Sequence, residues 1–387
     1  MVGAATERAL RALRAGDAGT LEDMCAVTRI PAPPCGETER AAWIRSRLTG
    51  IGVCDVATDA VGNVIARLPG GGDARPVLVA AHLDTVFAAD TPIVVAARNG
   101  RIAAPGIADN GRGVAALVAI ARACIAGRVR TRRPIILVAT VGEEGHGDLR
   151  GAKHLFAPGS AWRDAAGFIA IDGAGSRRIV HRAVGARRLR VELRGRGGHS
   201  WADRDRANPV HALGRATSAL SAIRVPERAA LTVARIGGGT SVNAVPSFAW
   251  LELDLRAEGA ATLARLERRA RACIRRATDI PGRRGDPPLR LRIGVIGDRP
   301  TGRTPREARI VRAARSATRH VGQWPQLVAG STDANVPMAL GIEAIAIGAG
   351  GEAGGTHTTG EWFRNDGGPA GMARALLTVL LAAGVND

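Results

Sequence analysis

The chain has 387 residues, 46% hydrophobic and 23% charged, an ordinary globular balance that argues against wholesale disorder and leaves room for two domains. No apolar run approaches the roughly 18–20 residues of a bilayer-spanning helix, and MVGAATERALRALRAGD at the N-terminus lacks the apolar stretch of a secretory signal, so a cytoplasmic, non-membrane protein is expected. The net charge of +19 suggests nucleic acid, but the 54 basic residues (53 arginines and Lys153) are dispersed, Tyr is absent and Phe scarce; without basic-aromatic interleaving to stack bases, a solvated arginine-rich surface is expected instead.

In chain order, ERAAWIRSRLTGIG has helical spacing with a glycine stop, and DVATDAVGNVIARLPG reads as two short strands turning at Gly62-Asn63. RPVLVAAHLDTV is a continuous apolar run of the kind buried on both faces of a sheet. GVAALVAIARACIAG is a helix closed by Gly127, and RPIILVATVGEE and AGFIAIDGAG are further buried strands. EAIAIGAGG repeats the pattern near the C-terminus, preceded by the helix-like STDANVPMALG and followed, after a polar loop, by the helix GPAGMARALLTVLLAAG. Strands separated by helices imply right-handed crossovers and a mostly parallel α/β sheet.

Between these flanks the pattern changes. ARRLRVELRG, ALTVARIGGG, SFAWLELDLRA and PLRLRIGVIG read as strands, most of them alternating. NPVHALGRATSALSAI, opened by the cap Asn208 and the first-turn Pro209, and ATLARLERRARACIRRAT are helices. The order β-α-β-β-α-β is a split-βαβ sandwich inserted at residues 185–297, with residues 1–184 and 298–387 forming the α/β domain.

Chemistry-bearing residues stand just past the buried runs. His82 and Asp84 follow VLVAA, Glu143 and Glu144 follow IILVATVG, Asp172 follows FIAI, and His357 follows AIAIGAGGEAGGT. Asp109, in GIADNGRG, precedes a helix. Alone, each has a bland explanation: a structural histidine, a turn at Asp109-Asn110-Gly111 or Asp172-Gly173, a solvated strand end at Glu143-Glu144. Together they place imidazoles and carboxylates at the edge where open α/β sheets bind ligands. The five cysteines are odd in number and form no C-x-x-C, so a metal would fall to His and carboxylate, a donor set suited to zinc, cobalt or manganese.

AAHLDTV, GIADNGRGVAAL, GEEGHGDLRGAKHL, IDGAG, GRGGHSW, SVNAVP, LDLR, GSTDANVP and THTTGEWF, in that order, resemble the dizinc metallopeptidases that include peptidase T, glutamate carboxypeptidase, succinyl-diaminopimelate desuccinylase and aminoacylases. IVHRAVGARRLRV and RIGGGTSVNAVP are most similar to the peptidase T-like branch. The resemblance covers about residues 20–380 and implies a zinc-exopeptidase type of α/β domain with a lid and dimerisation insert. It implies two divalent ions, zinc with cobalt or manganese as alternatives, bridged by Asp109, one completed by His82 and Asp172 and the other by Glu144 and His357. Asp84 would fix the tautomer of His82, and Glu143 would be the general base. His199 would reach a partner's active site in a homodimer to stabilise the oxyanion. Asn243 and Arg256 would grip a substrate carboxylate, with Ser331 and Asp333 lining the pocket or backing the ligands. After His357 the chain reads Thr358-Thr359-Gly360-Glu361, a departure from the family that touches the loop and not the ligand.

The reading implied is hydrolysis of an amide in small peptides by a dipeptidase or tripeptidase-like aminopeptidase. An N-acyl amino acid deacylase is the runner-up, and a catalytically silent metal- or nucleic-acid-binding protein the alternative from another class.

Overall fold

Strands without a polar face must be covered on both sides, and four such runs lie side by side here. Ile135–Thr140, Val77–His82, Gly167–Ile171 and Ala344–Ile347 are adjacent and parallel. The computed structural model describes residues 3–68, 74–279 and 287–385, and in it these strands form the middle of a larger mixed sheet. Val64–Arg67 and Cys54–Thr58 extend one side antiparallel, and Arg178–Ala183 extends the other. Gln326–Gly330 pairs parallel with Arg178–Ala183. The expected helix-covered parallel sheet is present at the centre, and the antiparallel pairing belongs to the flanks.

Successive side chains on each strand point to opposite faces. Val77, Val79, Leu137 and Ile169 pack among the helices Ala4–Ala15, Thr38–Gly50, Gly113–Ala126, Arg309–His320 and Gly368–Ala383. Leu78, Val138, Phe168 and Ala170 pack the other way, against Leu149, Leu155, Phe156 and Met338. Burying each large aliphatic side chain contributes roughly 1.5–3 kcal/mol, so this two-sided core dominates the stability of the unit. Gly113–Ala126 is apolar nearly all round and correspondingly buried along most of its length.

A second, small sheet was not legible in the sequence. Glu352–Gly354, Trp362–Arg364, Arg101–Ala103 and Ala96–Arg98 pair antiparallel in that order. It ties the loop carrying His357 to the chain that leads into Asp109.

The chain divides into two compact units, Met1–Ala183 with Gly302–Asp387, and Val184–Thr301. The second has its own antiparallel sheet, ordered Ala229–Gly238, Phe248–Ala257, Gly185–Arg194, Arg290–Arg299. Leu189, Val191, Leu251 and Leu253 form its core with Leu213, Leu220, Leu263 and Leu266 from the helices Pro209–Ser221 and Ala260–Thr278. The side chain of Asn208 accepts the N–H groups of Val210 and His211 and so caps the first helix. Chain order here is the expected β-α-β-β-α-β.

Candidate metal centre

Parallel strands end at a common edge, and each of the four central ones delivers something to it. His82 ends its strand, Asp172 directly follows Ile171, and Glu143 and Glu144 lie just beyond Thr140. The chain after Ile347 leads into the small sheet and presents His357, at φ 66, between Gly354 and Trp362. Asp109 sits in the irregular segment Ile107–Arg112 ahead of the buried helix, next to a cis peptide to Asn110.

The five proposed ligands converge. His82 Nε2 lies 3.1 Å from Asp109 Oδ1 and 3.7 Å from Asp172 Oδ1. His357 Nε2 lies 3.1 Å from Asp109 Oδ2 and 2.9 Å from Glu144 Oε1. Asp109 thus offers one oxygen to each imidazole, and each imidazole has one further carboxylate. One ligand atom from each of His82, Asp109 and Glu144 falls within 4.8 Å of the others.

Backbone hydrogen bonds hold this cluster in place. The Asp84 carboxylate, fully buried, accepts the N–H of Glu143 at 2.9 Å on Oδ1 and the N–H of Glu144 at 2.7 Å on Oδ2. Gly142 and Gly145, at φ 63 and 44, let the chain turn tightly around the glutamate pair. His82 Nδ1 donates to the main-chain oxygen of Asp84 at 3.1 Å, while Asp84 Oδ1 is 3.6 Å away. The tautomer is therefore set mainly by the backbone of Asp84, and its side chain chiefly aims the two glutamates. That division differs from the role the sequence suggested.

Three further residues were missed. Arg40, with no exposed surface, donates to the carbonyls of Ile30 at 2.7 Å, Leu83 at 2.8 Å and Thr28 at 3.3 Å, and so pins the residue between His82 and Asp84. Burial lowers its pKa to about 10, against the pull of Asp84, and it stays charged at neutral pH. Glu361, also fully buried, accepts the N–H groups of Gly106, Ala108 and Asp109 at 3.2, 2.8 and 2.9 Å. Asn110 donates to Ile171 O at 3.0 Å and accepts from Gly173 N at 3.1 Å, clamping the bend that carries Asp172.

The electrostatics are those of a site lacking positive charge. Burial opposes protonation of His82, yet the close carboxylates of Asp109, Asp172 and Asp84 outweigh it and raise its pKa well above the ordinary value. Hydrogen bonds to Asp109 and Glu144 lift His357 to about 10. Burial works against ionising Asp109, but both imidazoles hold its pKa far below the ordinary carboxylate value. Burial together with the neighbouring Asp109 and Glu144 charges raises Asp172. Asp109 Oδ1 is buried and receives no aligned hydrogen bond. An orphaned acceptor among crowded carboxylates, relieved only by protonated imidazoles, fits divalent cations in the protons' place.

Residues 63–193 match the model of Peptidase family M28, and residues 182–279 match the Peptidase dimerisation domain. The two matches meet where the two compact units meet in the chain. The solved structures similar to it share its fold. A tripeptidase from Staphylococcus aureus subsp. aureus Mu50 is 18% identical, with TM-score 0.77 over 94% of this chain and 98% of the other. Aminopeptidase PepT from Bacillus cereus ATCC 10987 is 20% identical, with TM-score 0.71 over 94% and 98%. An amidase of the hydantoinase/carbamoylase family from Burkholderia vietnamiensis is 17% identical, with TM-score 0.73 over 94% and 97%. No curated protein matches the chain by sequence.

In the unit formed by Met1–Ala183 and Gly302–Asp387, Asp333 stands behind the proposed ligand His82. Thr140, the cross-strand partner of His82, donates to Asp333 Oδ2 at 2.5 Å, and burial pushes the Asp333 pKa up to about 6. Ser331 lines a cavity beside Asp172. In the dimerisation domain, His199 and Asn243 come together: Gly198–His199 pairs with Ala244–Val245, and Ser200 N–H donates to Asn243 O at 3.0 Å. His199 is exposed, and its Nδ1 accepts the N–H of Trp201 at 3.1 Å, which leaves Nε2 to carry the proton of the neutral ring. Arg256 is placed elsewhere. It donates to Asp254 at 2.6 Å, and it stands eight residues along the strand from Phe248, near which Asn243 lies, or about 27 Å at ~3.4 Å per residue. Within this unit, most of the strand Phe248–Ala257 separates the two positions along the chain.

Proposed function

We propose that the chain is a dinuclear metal-dependent hydrolase that cleaves an amide bond in small peptides, as a dipeptidase or tripeptidase-like exopeptidase. The observation that carries this reading is the Asp109 carboxylate, with one oxygen 3.1 Å from His82 Nε2 and the other 3.1 Å from His357 Nε2. Asp109 with His82 and Asp172 would hold one ion, and Asp109 with Glu144 and His357 the other. Nitrogen and oxygen donors without thiolate suit zinc, with cobalt or manganese as alternatives. When bound, such ions polarise a scissile carbonyl and lower the pKa of water from 15.7 to about 7.

The chain's own residues supply the rest. Glu143, buried beside Glu144, is the general base that takes a proton from the attacking water and passes it to the departing amine. Asp84 sets both glutamates through their backbone N–H groups, and Arg40 and Glu361 hold the two loops that bear His82 and Asp109. His199, with Nε2 carrying the proton, is the donor to the developing oxyanion in the active site of the partner subunit, worth a few kcal/mol in sites of this kind. The dimerisation-domain match supports a homodimer as the functional form. Cleavage of N-acyl amino acids is the second reading, favoured by the likeness to the Burkholderia vietnamiensis amidase; the same centre serves either amide.

The test is hydrolysis of a panel of di- and tripeptides and N-acyl amino acids by protein reconstituted with zinc, cobalt or manganese. Cleavage is expected to stop on chelation and in Glu143→Ala, whose metal content persists. Fully loaded protein that cleaves nothing, or a Glu143→Ala protein as fast as the parent, defeats the proposal.

A further inference from the structure

Next to the metal centre the peptidase unit has a cavity of about 210 Å3, walled by Asp172, Ala174, Arg178, Val180, Ser331 and Ile347 among others. At about 30 Å3 for each water's share of liquid volume, it holds roughly seven waters' worth of space. That suits one small side chain and not an extended peptide. Asp172, one of the proposed ligands, is part of the wall, so the cavity opens beside the reacting atoms.

Arg178 is the one basic residue in the wall. Several other arginines are paired with acids: Arg150 with Glu37 at 3.1 Å, Arg190 with Glu252 at 2.8 Å, Arg364 with Glu352 at 2.5 Å. Arg178 forms no ion pair among the described residues, and its side chain is exposed. Its backbone is firmly placed, because it opens the strand Arg178–Ala183, pairs with Gln326, and its carbonyl accepts from Arg374 Nη2 at 2.7 Å. An arginine rooted at its backbone, with no ion pair among the described residues and bordering a side-chain-sized space beside the centre, lacks only an anion.

We propose that this cavity is a subsite for a carboxylate carried by the residue flanking the scissile amide, held by the guanidinium fork of Arg178. The preferred substrates are then acidic peptides or N-acyl acidic amino acids. This deepens the hydrolase reading and rests on it for the word substrate, while the anion subsite is testable without turnover.

Two measurements separate the two ideas. Glutarate and glutaramate each bring one carboxylate to a metal-loaded site, and only glutarate brings a second. By calorimetry, glutarate is expected to bind ~10- to 100-fold more tightly, as one charged hydrogen-bonded pair provides. The preference should collapse in Arg178→Met and partly survive in Arg178→Lys. In kinetics, the kcat/KM ratio for dipeptides differing only as Glu or Gln should fall by a similar factor in Arg178→Met. A glutarate preference without hydrolysis of any amide upholds the subsite and defeats the hydrolase reading. Hydrolysis whose Glu-to-Gln ratio is the same in Arg178→Met and the parent overturns the subsite, as does equal binding of glutarate and glutaramate to the parent.

Discussion

Asparagine at position 84 would leave all five proposed ligands in place and still disturb the centre. The Asp84 carboxylate accepts one backbone N–H on each oxygen, Glu143 at 2.9 Å and Glu144 at 2.7 Å, with no exposed surface. A carboxamide accepts on only one atom and presents an NH2 to the other donor. One N–H is then stranded in a buried site at about 1–3 kcal/mol, and the surviving bond loses its charge assistance, another ~1 kcal/mol. The expected loss is about 2–4 kcal/mol, read as a lowered denaturation midpoint in urea. Burial opposes ionising Asp84, but the nearby His82 imidazole and the hydrogen bonds from the N–H groups of Glu144 and Glu143 lower its pKa. Its contribution is therefore present at all pH values above the ordinary carboxylate range and is lost only as pH falls through the lowered value. The difference between parent and variant should persist across neutral pH and shrink in acid. Because the two N–H groups aim Glu143 and Glu144, turnover should drop on the order of 100-fold, as a 1 Å misplacement can cost. A variant within about 0.5 kcal/mol of the parent, the usual spread for changes that touch nothing, and with full turnover would refute the positioning argument.

Glu361→Ala removes the acceptor of three backbone donors around Asp109. Metal affinity by titration should fall roughly 10- to 100-fold, and unchanged affinity would mean the Asp109 loop holds itself. Gly113→Ala should be destabilising, since a Cβ there would lie 2.1 Å from Asn110 Oδ1 and 2.5 Å from Ile171 O; thermal unfolding at the parent's midpoint would contradict it. His357, lifted to about 10 by Asp109 and Glu144, stabilises the metal-free protein fully below the ordinary histidine value and loses that effect as pH rises through about 10. Metal must displace that proton, so binding at pH 7.5 should release protons, seen as a calorimetric heat that changes with buffer ionisation enthalpy. A buffer-independent heat would count against His357 as a ligand.

The proposed ligands were legible because their signal is local. A continuous apolar run announces a covered strand, parallel strands end at one edge, and a His, Asp or Glu just past such a run is placed there by chain direction alone. His82, Glu144, Asp172 and His357 follow from that rule, Asp109 stands just ahead of a helix, and the resemblance assigns the five to two ions. What holds the ligands still left no comparable trace. Arg40 is one of 53 arginines until it reaches Leu83 O, 43 residues away, and Glu361 looks like a loop acid until it takes N–H groups some 250 residues earlier. Likewise, the motifs holding Asn243 and Arg256 suggested one grip, while the strand between them sets the two far apart. Side-chain to backbone hydrogen bonds carry no periodicity and no composition, because any donor serves any acceptor that the fold brings within about 3 Å. Only the packed chain decides which ones meet.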